Sequence, residues 1–239
     1  MGGEAMGRGA RPKLRHNPVR NHTSGRAPLF SIIQAAGWPI WPLLVCSVLA
    51  LALILERLIS LRPSRIAPPS LLDEALAVSA QGLPSSEVVQ QLAQNSALGE
   101  VLASGFKALL QQPHCSEADL RAELEGTGRR VAAQLDKYLS ALATIASAAP
   151  LLGLLGTVIG MIDIFGSQSA GPGALSGGSN PAQLAHGISV ALYNTAFGLI
   201  VAIPSLIFWR YFRSRADAYL LTMELASERL LRHLNTLRK

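Results

Sequence analysis

The chain has 239 residues, of which 49% are hydrophobic and only 15% are charged. This charge content is low for a soluble protein, and long apolar stretches account for it, so the composition predicts an integral membrane protein. The net charge of +6 does not indicate nucleic-acid binding, because the basic residues flank apolar segments, where they orient a membrane protein. The two cysteines and five histidines show no metal-binding or catalytic spacing, so no metal, cofactor or enzymatic activity is expected.

The first half of the chain predicts a tail, one transmembrane helix and a small domain. Residues 1–28 carry six Lys or Arg against one Glu and predict a disordered basic tail. Residues 29–58 predict an interfacial helix and then transmembrane helix 1, with a break near Pro39 and Pro42. Residues 59–138 predict a cytoplasmic helical domain. Its short amphipathic helices are expected over 71–80, 85–94 and 98–111.

The second apolar stretch, residues 139–165, predicts transmembrane helix 2. It has no charged residue over 24 positions, 139–162, which is long enough to cross a bilayer. An amphipathic stripe runs into it from the domain, so we expect one helix over about 117–165, roughly 70 Å long. Three glycines share one face and Pro150 lies within the span; this face either packs against another helix or lines a pore. The glycines are Gly153, Gly156 and Gly160.

The remaining chain predicts a loop and a third span. Residues 166–181 form an uncharged Gly/Ser/Pro loop, residues 182–210 predict transmembrane helix 3, and residues 211–239 predict a C-terminal helix. The third span has a narrow face of small and polar residues, with Pro204 near its far end. That face contains Gly187, Ala191, Asn194, Thr195, Gly198 and Ala202. The fold class is therefore an all-α membrane protein with three transmembrane helices, of which the second and third extend into the helical domain.

The distribution of Lys and Arg predicts the topology. These residues number six in the tail, eight from Arg57 to Lys137, none in the loop and seven after Trp209. The charge-free loop is expected outside, with the central domain and the C-terminus in the cytoplasm. An outer N-terminus follows, although its six positive charges conflict with the rule. A translation start at a later residue would remove that conflict.

Two threonines on the small-residue faces are the candidate functional groups. Thr157 and Thr195 could line a route for water or a proton, or could instead form interhelical hydrogen bonds. No Asp, Glu, Lys or Arg lies inside any span, and a proton path needs a titratable group in the membrane. If the chain conducts protons, the acid must therefore come from a partner. Asp163 and His186 lie near the outer ends of their spans and fit interface positions.

The strings APLLGLLGTVIGMIDIF and GISVALYNTAFGLIVAIP resemble the paired signature of the ExbB/TolQ/MotA proton-channel family, with ExbB and TolQ most similar. The resemblance implies a bacterial inner-membrane stator, a homopentamer embedded in lipid. An ExbD- or TolR-like single-span partner would supply the proton-binding Asp, and the work would pass to a TonB- or TolA-like protein. Thr157 and Thr195 match the two pore threonines of the family. Pro150 and Pro204 match hinge prolines of the motor branch more loosely.

One position departs from the family pattern. ExbB and TolQ usually carry a glutamate where this chain has Val190, in the string Gly187-Ile188-Ser189-Val190-Ala191-Leu192. The resemblance then leaves Ser189 and Asn194 as hydrogen-bonding substitutes in the ion pathway, with the acid supplied wholly by the partner. The leading hypothesis is an ExbB-like subunit energising outer-membrane transport. The alternatives are a TolQ-like subunit for envelope integrity and division, and a scaffold that conducts nothing.

Overall fold

The computed structural model describes residues 38–80, 82–169 and 181–237, and within these ranges every regular element is an α-helix. The basic tail and the start of the interfacial helix predicted over residues 29–37 lie outside the described residues, as do loop residues 170–180. The helices are α1 (Ile40–Ser60), α2 (Pro63–Ile66), α3 (Leu71–Ser79), α4 (Ser86–Asn95), α5 (Ala97–Gln111), α6 (Glu117–Asp136), α7 (Leu139–Ser169) and α8 (Pro181–Leu237).

Helix α1 is the first apolar span, and its start is set by two prolines. Pro39 is the N-cap and Pro42 lies in the first turn, where the missing N–H would have no partner inside the helix. Trp38 and Trp41 beside this start are 63% and 64% exposed, which suits a membrane interface. At the other end, the Leu61 amide donates to the Arg57 carbonyl and closes the helix.

Three helices of the domain, α4, α5 and α6, begin where serine side chains cap them. The hydroxyl of Ser85 accepts from the Val88 amide at 3.5 Å, and that of Ser96 accepts from the Gly99 amide at 3.0 Å. Ser116 and Asp119 form a reciprocal capping box at the start of α6. Helices α3, α4 and α5 lie within one residue of the predicted boundaries at each end.

The single helix predicted over residues 117–165 is interrupted once. Helices α6 and α7 are separated by a turn at Lys137 and Tyr138. The chain nevertheless keeps its helical course, because Lys137 has helical dihedral angles and the Leu142 amide donates to the Tyr138 carbonyl at 3.2 Å. Helix α7 continues to Ser169, beyond the predicted end. Helix α8 is uninterrupted over 57 residues, which corresponds to about 85 Å.

The described helices form two regions with very different cores. The helical domain, built from α2–α6 and the C-terminal part of α8, shares one large apolar cluster that reaches the ends of the spans at Ile54, Leu142 and Phe212. The membrane region has a cluster of four buried residues, Leu43, Ala149, Val201 and Ala202. Three helices are long and apolar enough to cross a bilayer, and in α1 only 22% of the most apolar window is buried inside the chain. The protein is therefore a multi-pass membrane protein.

Candidate functional site in the membrane hairpin

Helices α7 and α8 form a hairpin, and its backbones touch where the glycines lie. A Cβ atom at Gly153 would lie 2.8 Å from the Asn194 carbonyl oxygen and 3.0 Å from the Thr195 Cα. A Cβ atom at Gly198 would lie 2.6 Å from the Ala149 carbonyl oxygen. These neighbours are main-chain atoms that cannot rotate away, so both positions require glycine. Gly160 is less constrained, because its Cβ would lie 3.4 Å from the Ala191 Cβ, an ordinary contact.

Asn194 lies inside this interface, at the level of Gly156. It is 1% exposed, and a Cβ atom at Gly156 would lie 2.8 Å from its Cβ and 2.9 Å from its Nδ2. The side chain therefore fills the space that the missing Gly156 side chain leaves. Asn194 thus lies between two helices of one chain, and its role in an ion pathway stays a prediction.

Thr195 joins the two helices by a hydrogen bond. Its hydroxyl donates to the Gly153 carbonyl oxygen at 3.3 Å, across 42 positions of sequence, and the side chain is partly buried. A donor can reach that carbonyl because Gly153 has no side chain and Gly198 lies against it. The interhelical hydrogen bond considered for the threonines is thus present at Thr195.

Thr157 and Ser189 lie at more open positions, and each hydroxyl is held by its own helix. Thr157 donates to the Leu154 carbonyl at 2.7 Å, and Ser189 donates to the Ala185 carbonyl at 2.9 Å. Thr157 also borders a shallow groove of about 620 Å³ with apolar walls that include Met161 and Phe165. The structure thus brings five of the predicted residues together at the α7–α8 contact: Thr195, Asn194, Gly153, Gly156 and Gly198. Thr157 and Ser189 lie outside this contact, on outward surfaces. The side chains of Val190 and His186 lie outside the described part.

Each long helix contains one proline within its apolar part. Pro150 lies in α7 and Pro204 in α8. Proline removes one helical N–H donor, which loosens the turn that precedes it. Side-chain hydroxyls bond to the backbone beside both prolines: Ser147 donates to the Ala143 carbonyl at 3.1 Å, and Ser205 donates to the Val201 carbonyl at 2.7 Å. The hinge role suggested for the two prolines stays a prediction.

A group of charged and aromatic side chains ties the domain end of the hairpin to α1, and sequence reasoning did not single it out. Arg57 is 2% exposed, with its guanidinium carbon 4.9 Å from the centre of the Tyr138 ring. Its Nε lies 3.3 Å from a Glu56 carboxylate oxygen without forming a hydrogen bond. In the sequence, Arg57 was counted only among the basic residues that predict the topology. Arg57 and Tyr138 are 81 positions apart in the sequence, and no sequence signal pairs them.

Helix α8 is anchored to the same junction. Arg213 donates to both carboxylate oxygens of Asp136, the last residue of α6, at 2.9 and 3.0 Å. The negative charges of Asp136 and then Asp217 raise the pKa of Arg213 above its ordinary value. The hydroxyl of Tyr219 donates to the Leu61 carbonyl at 3.2 Å, which ties α8 to the end of α1. Among the described residues, no group of His, Cys, Asp or Glu could hold a metal ion.

Comparisons with known proteins match the hairpin and its continuation into the domain. The family model of the MotA/TolQ/ExbB proton channel family matches residues 93–225, which run from the end of α4 to the middle of the domain part of α8. The chain belongs to this family. The match includes the glycine contacts, both threonines and the turn between α6 and α7. It omits α1, so the family assignment rests on the hairpin and not on Arg57.

Curated relatives support the same assignment. The chain is 34% identical over 175 residues to the biopolymer transport protein exbB1 of Vibrio cholerae, covering 72% of this chain and 73% of the relative. It is 33% identical over 181 residues to a putative biopolymer transport protein, ExbB-like 3, of Synechocystis, covering 76% and 83%. It is also 34% identical over 150 residues to the Tol-Pal system protein TolQ of Pseudomonas aeruginosa, covering 57% and 62%.

Proposed function

We propose that this chain is the ExbB-like subunit of a proton-channel motor in the bacterial inner membrane. The domain and the C-terminus lie in the cytoplasm and the N-terminus in the periplasm. In this proposal, the subunit forms a homopentamer and uses the proton-motive force to energise TonB-dependent outer-membrane transport. Support comes from the family and from the two relatives described as biopolymer transport proteins, both of which the chain covers at more than two thirds of their length.

One observation carries the chemical part of the proposal: the hairpin offers hydroxyls at membrane depth but no acid. The spans contain Thr157 and Thr195, and no Asp, Glu, Lys or Arg lies between 139 and 162 or between 184 and 209. A hydroxyl can pass on a hydrogen bond, but it does not hold a proton as a carboxylate does. The proton-binding Asp is therefore supplied by an ExbD- or TolR-like partner with a single span.

Thr195 has the central role in this proposal. Its hydroxyl is both a donor to the Gly153 carbonyl and an acceptor with free lone pairs. Thr157 lies one helical turn from Gly153 and borders the open groove, where a partner helix would bring its carboxyl group. Together the two hydroxyls would solvate the proton as it enters and leaves the partner's Asp. Ser189 and Asn194 stay subsidiary members of the proposed pathway.

Proton flux through purified protein tests the role of Thr195. The full chain, co-purified with the single-span partner, is reconstituted in liposomes under a pH gradient. We expect Thr195→Val to lower the flux about tenfold or more, since general acid–base and hydrogen-bonding groups typically contribute factors of this size. Thr195→Ser, which keeps the hydroxyl, should restore it. Thr222→Val is the matched control: Thr222 is on the same helix beyond the span and bonds only to the Ala218 carbonyl.

Two results would count against the proposal. Full flux in a well-assembled Thr157→Val, Thr195→Val double variant would remove the threonines from the pathway. No flux in the wild type with its partner, under any gradient, would favour the non-conducting scaffold. The choice between the ExbB-like and TolQ-like roles is tested separately, by which partner, TonB-like or TolA-like, co-purifies with the complex.

A further inference from the structure

A groove opens on the helical domain between α3, α4 and α5. Its volume is about 310 Å³, at the lower end of the range of about 300–1,000 Å³ found for ligand pockets. The floor is apolar and belongs to the domain core: Phe106 is 0% exposed, and Leu71 and Val89 are each 5% exposed. The groove therefore has the size and the lining to take an anchoring apolar side chain from another molecule.

The mouth of the groove is apolar as well, although the domain lies outside the membrane spans. Val78 on α3 and Val88 on α4 line it and are 52% and 41% exposed. Leu83, in the turn between these two helices, is 45% exposed and precedes Pro84, which also lines the groove. Apolar side chains scattered singly over a surface are ordinary, whereas several around one groove are typical of a contact with another molecule.

The part of the chain that carries this groove, residues 66–106, forms an acidic lobe in a chain with a net charge of +6. It has four Asp or Glu and no Lys, Arg or His. Glu74 lines the groove, and no basic residue of the described chain does. Arg65 and Lys107 bound the lobe in sequence, but Arg65 does not line the groove and Lys107 lines a different one. The groove therefore presents negative charge around an apolar centre.

Helix dipoles alone do not account for the charge of the acidic lobe. Its four acidic residues lie in the first turns of α3, α4 and α5, where they interact favourably with the dipole. The same dipole favours Lys and Arg in the last turns, yet none of the three helices has one there. Asp73, Glu74 and Glu87 are exposed and form no ion pair with another described residue. These carboxylates are therefore available to a basic partner.

The charge of the acidic lobe selects its occupant. The cytoplasmic face of a membrane is negatively charged and repels the lobe, which excludes docking on lipid. The basic tail of this chain, residues 1–28, lies across the membrane in the proposed topology. A partner with its own membrane span has Lys and Arg on the cytoplasmic side of that span, because these residues orient it. The cytoplasmic segment of such a partner therefore has the complementary charge.

A short segment of this kind is long enough to reach the groove. In this chain, residues 61–70 lead from the end of α1 to the start of α3, which lines the groove. A segment of about ten residues spans at most about 35 Å when it is fully extended. A partner span packed beside α1 therefore needs only a similar length. The Lys and Arg that orient a span lie within about 15–20 residues of its end, so they fall within this reach.

We infer that the groove between α3, α4 and α5 binds the Lys/Arg-rich cytoplasmic segment next to the membrane span of a partner protein. An apolar side chain of that segment enters the groove between Val78 and Val88. Its basic side chains face Glu74 and the exposed carboxylates of Asp73 and Glu87. The inference rests on the membrane-spanning partner in the proposed function and adds a second contact, outside the bilayer. The family model begins at residue 93, so the family match does not include α3 or most of α4.

Photo-cross-linking in membranes that contain the partner identifies the occupant. The photoreactive residue p-benzoyl-phenylalanine replaces Val78 in the full chain, or replaces Leu110 as a control, since Leu110 is 38% exposed on α5 but does not line the groove. The Val78 variant should cross-link to a membrane-spanning partner, within a Lys/Arg-rich segment beside its span, and the Leu110 variant should not. Cross-linking to a second copy of the chain, to lipid, to a segment without basic residues, or to nothing would overturn the inference.

Two charge reversals provide a matched binding test. A synthetic peptide of the cross-linked segment is titrated onto the full chain in nanodiscs and followed by fluorescence anisotropy. Glu74→Lys should weaken binding about tenfold, because it places like charges together at the groove. Glu117→Lys is the control: Glu117 is also exposed in a first helical turn, that of α6, but lies outside the groove. Its effect should stay within about twofold, since salt screens distant charges.

A second peptide, with each Lys and Arg replaced by Gln, completes this test. It should bind the wild type more weakly and should not distinguish Glu74→Lys from Glu117→Lys. Equal effects of the two variants on the basic peptide would show that only net charge matters and would overturn the inference.

Proton flux separates this inference from the proposed function. Flux through the wild type with its partner, without binding of the basic peptide, would overturn the docking site alone. Peptide binding that is sensitive to Glu74→Lys in a complex that conducts nothing would overturn the channel and keep the docking site.

Discussion

The helical domain buries large side chains, whereas the membrane hairpin buries almost none. In the domain, Phe106, Leu120 and Leu230 are each 0% exposed and belong to one continuous cluster. In the hairpin, Leu151, Leu154 and Ile162 are more than half exposed, and the closest contacts are between glycines and backbone.

The difference follows from the solvent of each region. Water drives apolar side chains of the domain into a shared core, and each buried leucine contributes about 1.5–3 kcal/mol. Lipid is as apolar as leucine, so burying leucine between α7 and α8 gains little. Close van der Waals contact and the Thr195–Gly153 hydrogen bond hold the hairpin instead. The domain should therefore be sensitive to lost volume, and the hairpin to added volume.

The largest effect is expected from lost volume in the domain. Leu109 and Leu110 are neighbours on α5, 2% and 38% exposed. Leu109→Ala should destabilise the domain by about 2–5 kcal/mol, because it leaves a cavity in the core. Leu110→Ala should cost about 0.5 kcal/mol or less, as surface substitutions do. Limited proteolysis of residues 60–138 in the full chain, as a function of urea, measures both. Similar protease sensitivity in the two variants would show that the domain lacks a specific core.

Added volume in the hairpin should have the next largest effect. Gly156→Leu would place a side chain where Asn194 lies, at 2.8 Å from its Cβ, and should destabilise the hairpin by about 1–3 kcal/mol. Gly166→Leu is the matched control. Gly166 lies farther along α7, where an added Cβ atom would meet nothing within 4 Å, so this variant should be neutral. Titration with sodium dodecyl sulfate, followed by circular dichroism, compares the unfolding midpoints. If Gly166→Leu were as harmful as Gly156→Leu, contact with α8 would not be the cause.

The sequence was sufficient to predict these helices and their faces, but not where the side chains end up. Hydrophobic length predicted three spans, which the structure confirms, and the amphipathic pattern predicted α3, α4 and α5 to within one residue at each end. Asn194 was harder to place, because a polar residue on a small-residue face fits a pore and a helix interface equally well. Its distance to Gly156 depends on the register of two helices from separate stretches of the chain. The turn at Tyr138 was also missed, since no proline or glycine marks it.

Arg57 tests the boundary between the two regions, where the expected effect is smaller. Its guanidinium lies over the ring of Tyr138, which is 37% exposed, and this partly desolvated contact contributes on the order of 1 kcal/mol. Arg57→Met and Tyr138→Leu should each lower the free energy of unfolding. The double variant should be no less stable than the less stable of the two single variants. A double-mutant cycle of unfolding free energies in detergent measures the coupling. Additive losses would mean that the two residues act independently and do not join α1 to the α6–α7 junction.

The smallest effect is expected at the start of α6, and it depends on pH. Hydrogen bonds from the Ser116 hydroxyl and then the Ser116 amide lower the pKa of Asp119 below its ordinary value of 3.8. A lowered folded-state pKa means that the cap contributes stability above pH 3.8 and loses it as the pH falls through and below that value. Stability of the wild type should therefore decrease more steeply than that of Asp119→Asn as the pH falls from 5 toward 3.

The control for this prediction is a second acidic residue in a first helical turn. Asp73 lies in the first turn of α3, whose N-cap residue, Ser70, makes no side-chain capping bond. Thermal unfolding of the full chain at steps of pH should show that Asp73→Asn keeps the wild-type slope and Asp119→Asn does not. Parallel curves for all three proteins would place the acid sensitivity elsewhere in the domain. Because the spans contain no acid between 139 and 162, the hairpin itself should add little to this pH dependence.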